Sequence, residues 1–190
     1  YIPLSELIKH NGPIPNIDID PDNDVALLQY TGGTTGTPKG AMLTHTNITA
    51  NAYQCALWFP DCRAGGEKML GVIPFFHVFA MTAVMNLSVL RGLEIIALPR
   101  FDLNDTMAVI HRKRPTLFPA VPAIFAAINH HPHLKRYNLT SLRHCISGGA
   151  PLPVEVKHHF EHNTGCVLVE GYGLTETSPV THVNPLKGVN

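Results

Sequence analysis

The residues best suited to chemistry lie in one segment, Tyr30-Thr31-Gly32-Gly33-Thr34-Thr35-Gly36-Thr37-Pro38-Lys39-Gly40. Glycines allow consecutive backbone N–H groups to turn inward. Four threonines add hydroxyl donors, and Lys39 adds a point charge. Such a loop can wrap a polyphosphate. The competing reading is a flexible polar turn. A predicted strand before the loop, a predicted helix after it and the lysine favour the phosphate site. A Walker A loop does not fit. With Gly33 as its first glycine, Pro38 stands where the second glycine belongs, and Gly40 where Ser or Thr belongs. A P-loop kinase or ATPase is therefore disfavoured.

Other candidates are less telling alone. His77 lies among Phe75, Phe76, Phe79 and Met81, where a histidine reads as a hydrogen-bonded core residue or as a site residue. Phe79 and Met81 read equally as core packing. Ser147-Gly148-Gly149-Ala150-Pro151 is a turn signal. Glu176, taken singly, reads as a solvated carboxylate. His130, His131 and His133 invite a metal reading, but no second ligand group is nearby and Pro132 breaks any helix face. An exposed loop is expected there.

Taken in order, four segments carry more. The loop above, Pro74-Phe75-Phe76-His77-Val78-Phe79-Ala80-Met81, Ser147-Gly148-Gly149-Ala150-Pro151-Leu152 and Gly171-Tyr172-Gly173-Leu174-Thr175-Glu176-Thr177 together resemble the adenylate-forming enzymes. That family includes acyl-CoA synthetases, firefly luciferase and peptide-synthetase adenylation domains. The runs LLQYTGGTTGTPKGAMLTH and EGYGLTE are most similar to bacterial long-chain fatty-acid–CoA ligases.

The resemblance implies ATP, Mg²⁺ and CoA as cofactors and a long-chain fatty acid as substrate. Thr34, Thr35, Gly36 and Lys39 would hold the β- and γ-phosphates, within a nucleotide-binding loop that also takes in Gly32, Gly33 and Thr37. Thr31 and Glu176 would serve the metal. Thr175 would reach the α-phosphate. Tyr172 would stack on adenine beside Gly173, with Gly148, Gly149, Ala150 and Pro151 as the backbone edge. His77 would position the substrate carboxylate, and Phe79 and Met81 would wall the acyl pocket. No Asp follows the acyl motif to meet a substrate amine, which disfavours amino-acid activation. Other acyl or aryl acids, or a non-catalytic nucleotide-binding module, remain alternatives. The chain departs from the family pattern where Gly32 or Gly33 replaces a common Ser. The family's ribose-binding Asp, hinge and C-terminal domain with its catalytic Lys have no counterpart here.

These motifs need a frame. Short apolar runs recur at Val25–Tyr30, Met69–Ile73, Glu94–Leu98, Thr116–Pro119, His144–Ser147 and Cys166–Glu170. Each is read as a strand buried on both faces. Between them, Ile48, Ala52, Cys55 and Phe59 keep helical spacing, as do Leu103, Met107 and Ile110 behind Asp102 and Asp105. Ile124 and Ile128 share a face behind Pro122, and Val156 and Phe160 behind Pro153. The expected fold is α/β: alternating strands and helices, a mostly parallel sheet and helices on both faces.

The 190 residues are 45% hydrophobic and 15% charged, with 14 basic and 14 acidic side chains. No nucleic-acid partner is expected from that balance. Low charge and an N-terminus without Met suggest a piece of a larger domain. Residues 1–24 would be a loop-rich entry and residues 25–190 the central nucleotide-binding part. The missing N- and C-terminal parts of the chain would be its partners. The piece alone is expected to be inactive and to self-associate through uncovered apolar surface. Cys145 and Cys166 read as buried small hydrophobes, and no Cys pairs in a C-x-x-C motif. The expected setting is reducing and cytoplasmic, with peripheral contact to the inner face of the membrane admitted for the full-length protein.

Overall fold

A computed structural model describes residues 3–9, 12–13, 16–31, 38–59 and 61–187. A short helix α1 (Leu4–Leu7) precedes β1 (Val25–Thr31) and β2 (Lys39–Thr44). Helix α2 (His45–Trp58) follows, then β3 (Lys68–Gly71). A helical run comes next: α3 (Val78–Ala80), a π-helical segment (Met81–Asn86) and α4 (Leu87–Arg91). The chain continues through β4 (Glu94–Ala97), α5 (Leu103–Lys113), β5 (Leu117–Ala120) and α6 (Pro122–Asn129). It ends with β6 (His144–Ser147), α7 (Val154–Thr164), β7 (Val167–Gly173) and β8 (Val180–Val183).

The central sheet has six strands in the order β4-β3-β5-β6-β7-β8. All its pairings are parallel except the last, where β8 runs antiparallel to β7. The α/β architecture is therefore the expected one. Its central strand β5 is buried throughout, as a parallel strand covered on both faces must be. The step from β3 to β4 and the steps from β5 to β6 to β7 run in opposite directions along the sheet. Right-handed crossovers then put their helices on opposite faces. The helix contacts agree: α2 packs with the α3–α4 run, while α5, α6 and α7 pack in sequence.

Several expectations need correction. The run Glu94–Leu98 contains the edge strand β4, where Glu94 and Ala97 are exposed, so it is not buried on both faces. Val25–Tyr30 is a strand, but it belongs to a separate two-stranded antiparallel hairpin with β2. Leu28 and Tyr30 are exposed there, so the strand is not buried on both faces. The glycine-rich loop consequently joins two strands, not a strand and a helix. Helix α2 starts only at His45, where Thr44 caps it. The Thr44 hydroxyl accepts from the N–H of Asn47, and the Asn47 side chain accepts from the N–H of Thr44. Such a reciprocal cap fixes the helix start after the strand has run out.

Elsewhere the local signals act as read. Asp102 Oδ1 accepts from the N–H of Asp105 at 2.9 Å and starts α5. Pro122 stands in the first turn of α6, while Pro153 sits one position earlier, as the cap of α7. Cys145 and Cys166 are buried, and burial raises the Cys145 thiol well above its ordinary range. His131 departs from the exposed-loop expectation. It is buried, its Nδ1 accepts from the N–H of His133 and its Nε2 bonds Asn104. Among the described residues, no helix is long and apolar enough to cross a membrane.

One face of the sheet is packed by aromatic rings. Phe125 on α6 meets Phe118 on β5 at 5.5 Å and Phe160 on α7 at 4.8 Å between ring centroids, both edge-on. All three are fully buried. Phe125→Ala should therefore cost about 3–5 kcal/mol, since the neighbouring rings cannot close the void. Denaturant unfolding would show the loss as a lower midpoint, and an unchanged midpoint would refute this packing.

Candidate functional site

The carboxyl ends of β3, β6 and β7 open into a cleft of about 1030 Å³. In parallel α/β sheets, this is the end at which loops can converge on a ligand. The amino ends are closed instead. There Arg143 Nη1 meets the buried carboxylate of Glu67 at 2.7 Å.

One wall comes from the hairpin. Thr31 pairs with Lys39 in the ladder, and the Thr31 hydroxyl donates to the Lys39 carbonyl at 3.3 Å. The two residues close the neck of the glycine-rich loop, and both line the cleft. Gly32, Gly33, Thr34, Thr35, Gly36 and Thr37 lie outside the described residues.

A second wall follows β3. His77 caps α3 with its ring, whose Nδ1 accepts from the N–H of Phe79 at 3.2 Å. That bond uses the Nδ1 lone pair and leaves Nε2 as the proton-bearing donor nitrogen. His77 and Phe79 line the cleft, as do Ala83 and Leu87. Phe79, Ala83 and Leu87 recur at i+4 and so share a face. Met81 is half-buried and is not part of the lining.

The third wall is glycine backbone after β6 and β7. A Cβ on Gly148 would come within 3.1 Å of the Phe79 ring. Gly149 has φ +82°, the left-handed region that favours glycine. Both line the cleft, while Ala150 and Pro151 are exposed and continue the turn outside its lining. Glu170 Oε1 accepts from the N–H of Leu152 at 2.9 Å and ties this turn back to β7. Tyr172, Gly173, Thr175 and Glu176 complete the wall, with Thr175 and Glu176 in a single 3₁₀ turn. Tyr172 is 60% exposed, so one ring face is free. Among the described residues lining the cleft, Lys39 is the only Lys or Arg and Glu176 the only carboxylate.

The rest of the lining is largely apolar and was not read from sequence. Asn51, Gln54, Cys55 and Trp58 of α2 face the cleft with Phe59. Their i, i+3, i+4, i+7 spacing is a helical stripe that sequence inspection could have found. It is masked because Ile48, Ala52 and Cys55 form an overlapping stripe. Burial pushes the Cys55 thiol up to about 11, so it is a poor nucleophile near neutral pH. The cleft thus has a polar end at Lys39, Thr175 and Glu176. Its apolar arm runs between α2 and the α3–α4 run.

A layered α/β domain with a cleft of this kind is a nucleotide-binding arrangement in outline. The profile of the family described as AMP-binding enzyme matches residues 4–189, and the chain belongs to that family. It is 57% identical over 172 residues to a long-chain-fatty-acid–CoA ligase of Bacillus subtilis, covering 90% of this chain and 31% of the relative. It is 36% identical over 178 residues to a feruloyl-CoA synthase of an Amycolatopsis species, covering 94% of this chain and 35% of the relative. ATP-bound MatB of Rhodopseudomonas palustris superposes with a TM-score of 0.82 at 29% identity, covering 93% of this chain and 34% of that one. The chain thus spans about a third of the length of the relatives it matches.

Proposed function

We propose that this chain carries the nucleotide- and acyl-binding core of an ATP-dependent long-chain fatty-acid–CoA ligase, with residues 25–190 forming that core. The observation that supports this most directly is the cleft itself. A polar end with one cation and one carboxylate continues into an apolar arm, with His77 among its lining residues. Similarity to the Bacillus subtilis ligase favours a fatty acid over other acids.

The reaction has two steps. A carboxylate oxygen of the acid attacks the α-phosphorus of ATP, forming acyl-adenylate as the α–β bridging bond breaks and pyrophosphate leaves. The sulfur of CoA then attacks the acyl carbon. AMP leaves, and the thiol proton passes to solvent. Two anions must meet in the first step, so fixed donors and positive charge have to spread the developing charge. Lys39 would hold the terminal phosphates with the loop it closes. The Thr175 hydroxyl would donate to the α-phosphate. Tyr172 would offer its free face to adenine beside the Gly148–Gly149 backbone. His77 Nε2–H would donate to the acid's carboxylate and orient it. Nδ1 is already engaged, so His77 positions the acid without taking a proton from it.

Mg²⁺ fits this donor set. A nucleotide-borne Mg²⁺ needs only one or two protein oxygens beside its phosphates and waters, and the Glu176 carboxylate and Thr31 hydroxyl both line the cleft. Among the described residues, no group of three or more His, Cys, Asp or Glu could hold an ion without the nucleotide. When bound, Mg²⁺ would neutralise phosphate charge. Free thiols and the use of ATP and CoA suit a cytoplasmic setting.

The test is ATP–pyrophosphate exchange by the full-length protein with palmitate, ferulate and other acids. Palmitate should support exchange at least about tenfold better than ferulate. An aryl preference would replace the fatty-acid assignment, and no exchange with any acid would remove the ligase reading. The apolar arm adds a second prediction. Cys55→Phe narrows the arm, so kcat/KM for a C16 acid should fall about tenfold relative to a C10 acid. An unchanged chain-length profile would exclude α2 as a wall of the acyl site.

A further inference from the structure

We propose that Asn51 and Thr82 are positioning residues that hold the Glu176 turn against the cleft, a role resting on the ligase reading for its catalytic consequence. Neither belongs to a motif recognised in the sequence. The turn from Leu174 to Pro179 carries Thr175 and Glu176. Its internal bonds are Leu174 N–H to Pro179 O at 3.0 Å and to the Thr177 hydroxyl at 3.1 Å, Thr177 N–H to Leu174 O at 3.1 Å, the Thr177 hydroxyl to Leu174 O at 2.9 Å and to Pro179 O at 2.5 Å, and Ser178 N–H to Thr175 O at 3.3 Å. All of them stay within the turn, so its position against the rest of the site depends on other bonds. Ser178, which closes the turn, has φ +77°, a conformation a non-glycine residue rarely holds without outside support.

That support comes from two helices. The Thr82 hydroxyl donates to the carbonyl of Ser178 at 3.0 Å, with both residues buried. The Asn51 amide makes two bonds to Val180, the first residue of β8. Its Nδ2 donates to Val180 O at 2.8 Å, and its Oδ1 accepts from Val180 N–H at 3.0 Å. Asn51 therefore acts as a one-residue strand partner for the edge of the sheet. It is 4% exposed, and Gln54 Oε1 accepts a further bond from its Nδ2 at 3.0 Å. Water cannot easily replace these bonds at buried sites.

The placement links the separate parts of the site. Helix α2 begins directly after the strand that carries Lys39, so Asn51 relates Lys39 to β8. The run holding Thr82 begins at the cap formed by His77, so Thr82 relates His77 to Ser178. Thr82 lies in the π-helical segment, a local widening often found at functional positions. Lys39, His77 and Glu176 are thereby held in one frame by two side chains, of which Asn51 lines the cleft and Thr82 lies behind its lining.

Isosteric variants of the full-length protein test this. Thr82→Val removes only the hydroxyl, and Thr82→Ser restores it. Asn51→Asp keeps the acceptor for Val180 N–H and sets a carboxylate oxygen against Val180 O. Two readouts are taken together: hydrogen exchange of the peptide spanning residues 172–182, and the kinetics of ATP–pyrophosphate exchange with palmitate. Thr82→Val and Asn51→Asp should each exchange that peptide about tenfold faster. They should lower kcat for adenylation by about ten- to a hundredfold, with the KM for palmitate within about twofold. Thr82→Ser should recover both readouts. Unchanged exchange of the peptide in the two variants overturns the proposal, and so does faster exchange with unchanged kcat. Should Thr82→Val fail to fold, Asn51→Asp decides by the same two measurements. If the wild-type protein activates no acid, the ligase reading fails, and peptide exchange alone then decides whether the two side chains hold the turn.

Discussion

Glu176→Gln in the full-length protein is expected to lower ATP–pyrophosphate exchange by about 10²–10³-fold while leaving the fold intact. The substitution keeps the shape of the side chain and removes its charge. Glu176 is the only carboxylate among the described residues lining the cleft, so no neighbour there can take over its charge. Loss of a group that stabilises transition-state charge has effects of this size. The residue is exposed, and surface substitutions of this kind usually change stability by less than about 0.5 kcal/mol. The apparent Mg²⁺ requirement should rise together with the loss of rate. Exchange within about threefold of wild type, at saturating Mg²⁺, would remove Glu176 from the site.

Gly173→Ala is the second large effect expected. A Cβ there would overlap the carbonyl oxygen of Pro179 and lie 2.9 Å from its carbon and 3.3 Å from the Cα of Val180. All three are backbone atoms, so no side chain can swing aside to relieve the contact. Relief requires β8 to move from β7, where Gly173 pairs with Val180. That movement would strain the bonds from Asn51 to Val180 and from Leu174 N–H to Pro179 O. Overpacking of this kind costs about 1–3 kcal/mol. The larger consequence is displacement of Thr175 and Glu176, and a misplacement of about 1 Å can cost about a hundredfold in rate. Adenylation kinetics and denaturant unfolding measured on the same preparation would show both. A Gly173→Ala protein with wild-type kcat and midpoint would show that the β7–β8 turn adapts freely.

Several elements were legible in the residues because their signals are local. The β5 run Thr116–Pro119 and the β6 run His144–Ser147 are short and apolar, and their burial on both faces is what that composition demands. Asp102 and Asp105 announced the start of α5. The four ordered motifs pointed to the family, and described residues of each line one cleft: Thr31 and Lys39, His77 and Phe79, Gly148 and Gly149, and Tyr172, Thr175 and Glu176. The loop from Gly32 to Thr37 carried the most specific signal, and it lies outside the described residues.

The sequence by itself determined the fold class, which depends on short-range spacing, and pointed to the family through the resemblance of its motifs; of the residues that resemblance named, Lys39, Thr175 and Glu176 share one cleft. Only the tertiary structure decided the partners. Strand β2 was not read because its alternation is weak and its hydrogen bonds go to β1, across the loop. Val180–Val183 was missed as a strand because it pairs on one edge only and is held on the other by Asn51, 129 residues away. Met81 is expected beside Phe79, but it lies outside the cleft lining, since two residues along a helix point about 200° apart. Ala83 and Leu87, at i+4 and i+8 from Phe79, line the cleft instead. His131 was read as exposed because nothing near it in sequence reveals Asn104, which meets it from α5. Linear spacing records what a residue does within its own element. Which side chains from distant elements share a cleft or hold a turn is set by how those elements pack, and no local pattern encodes that.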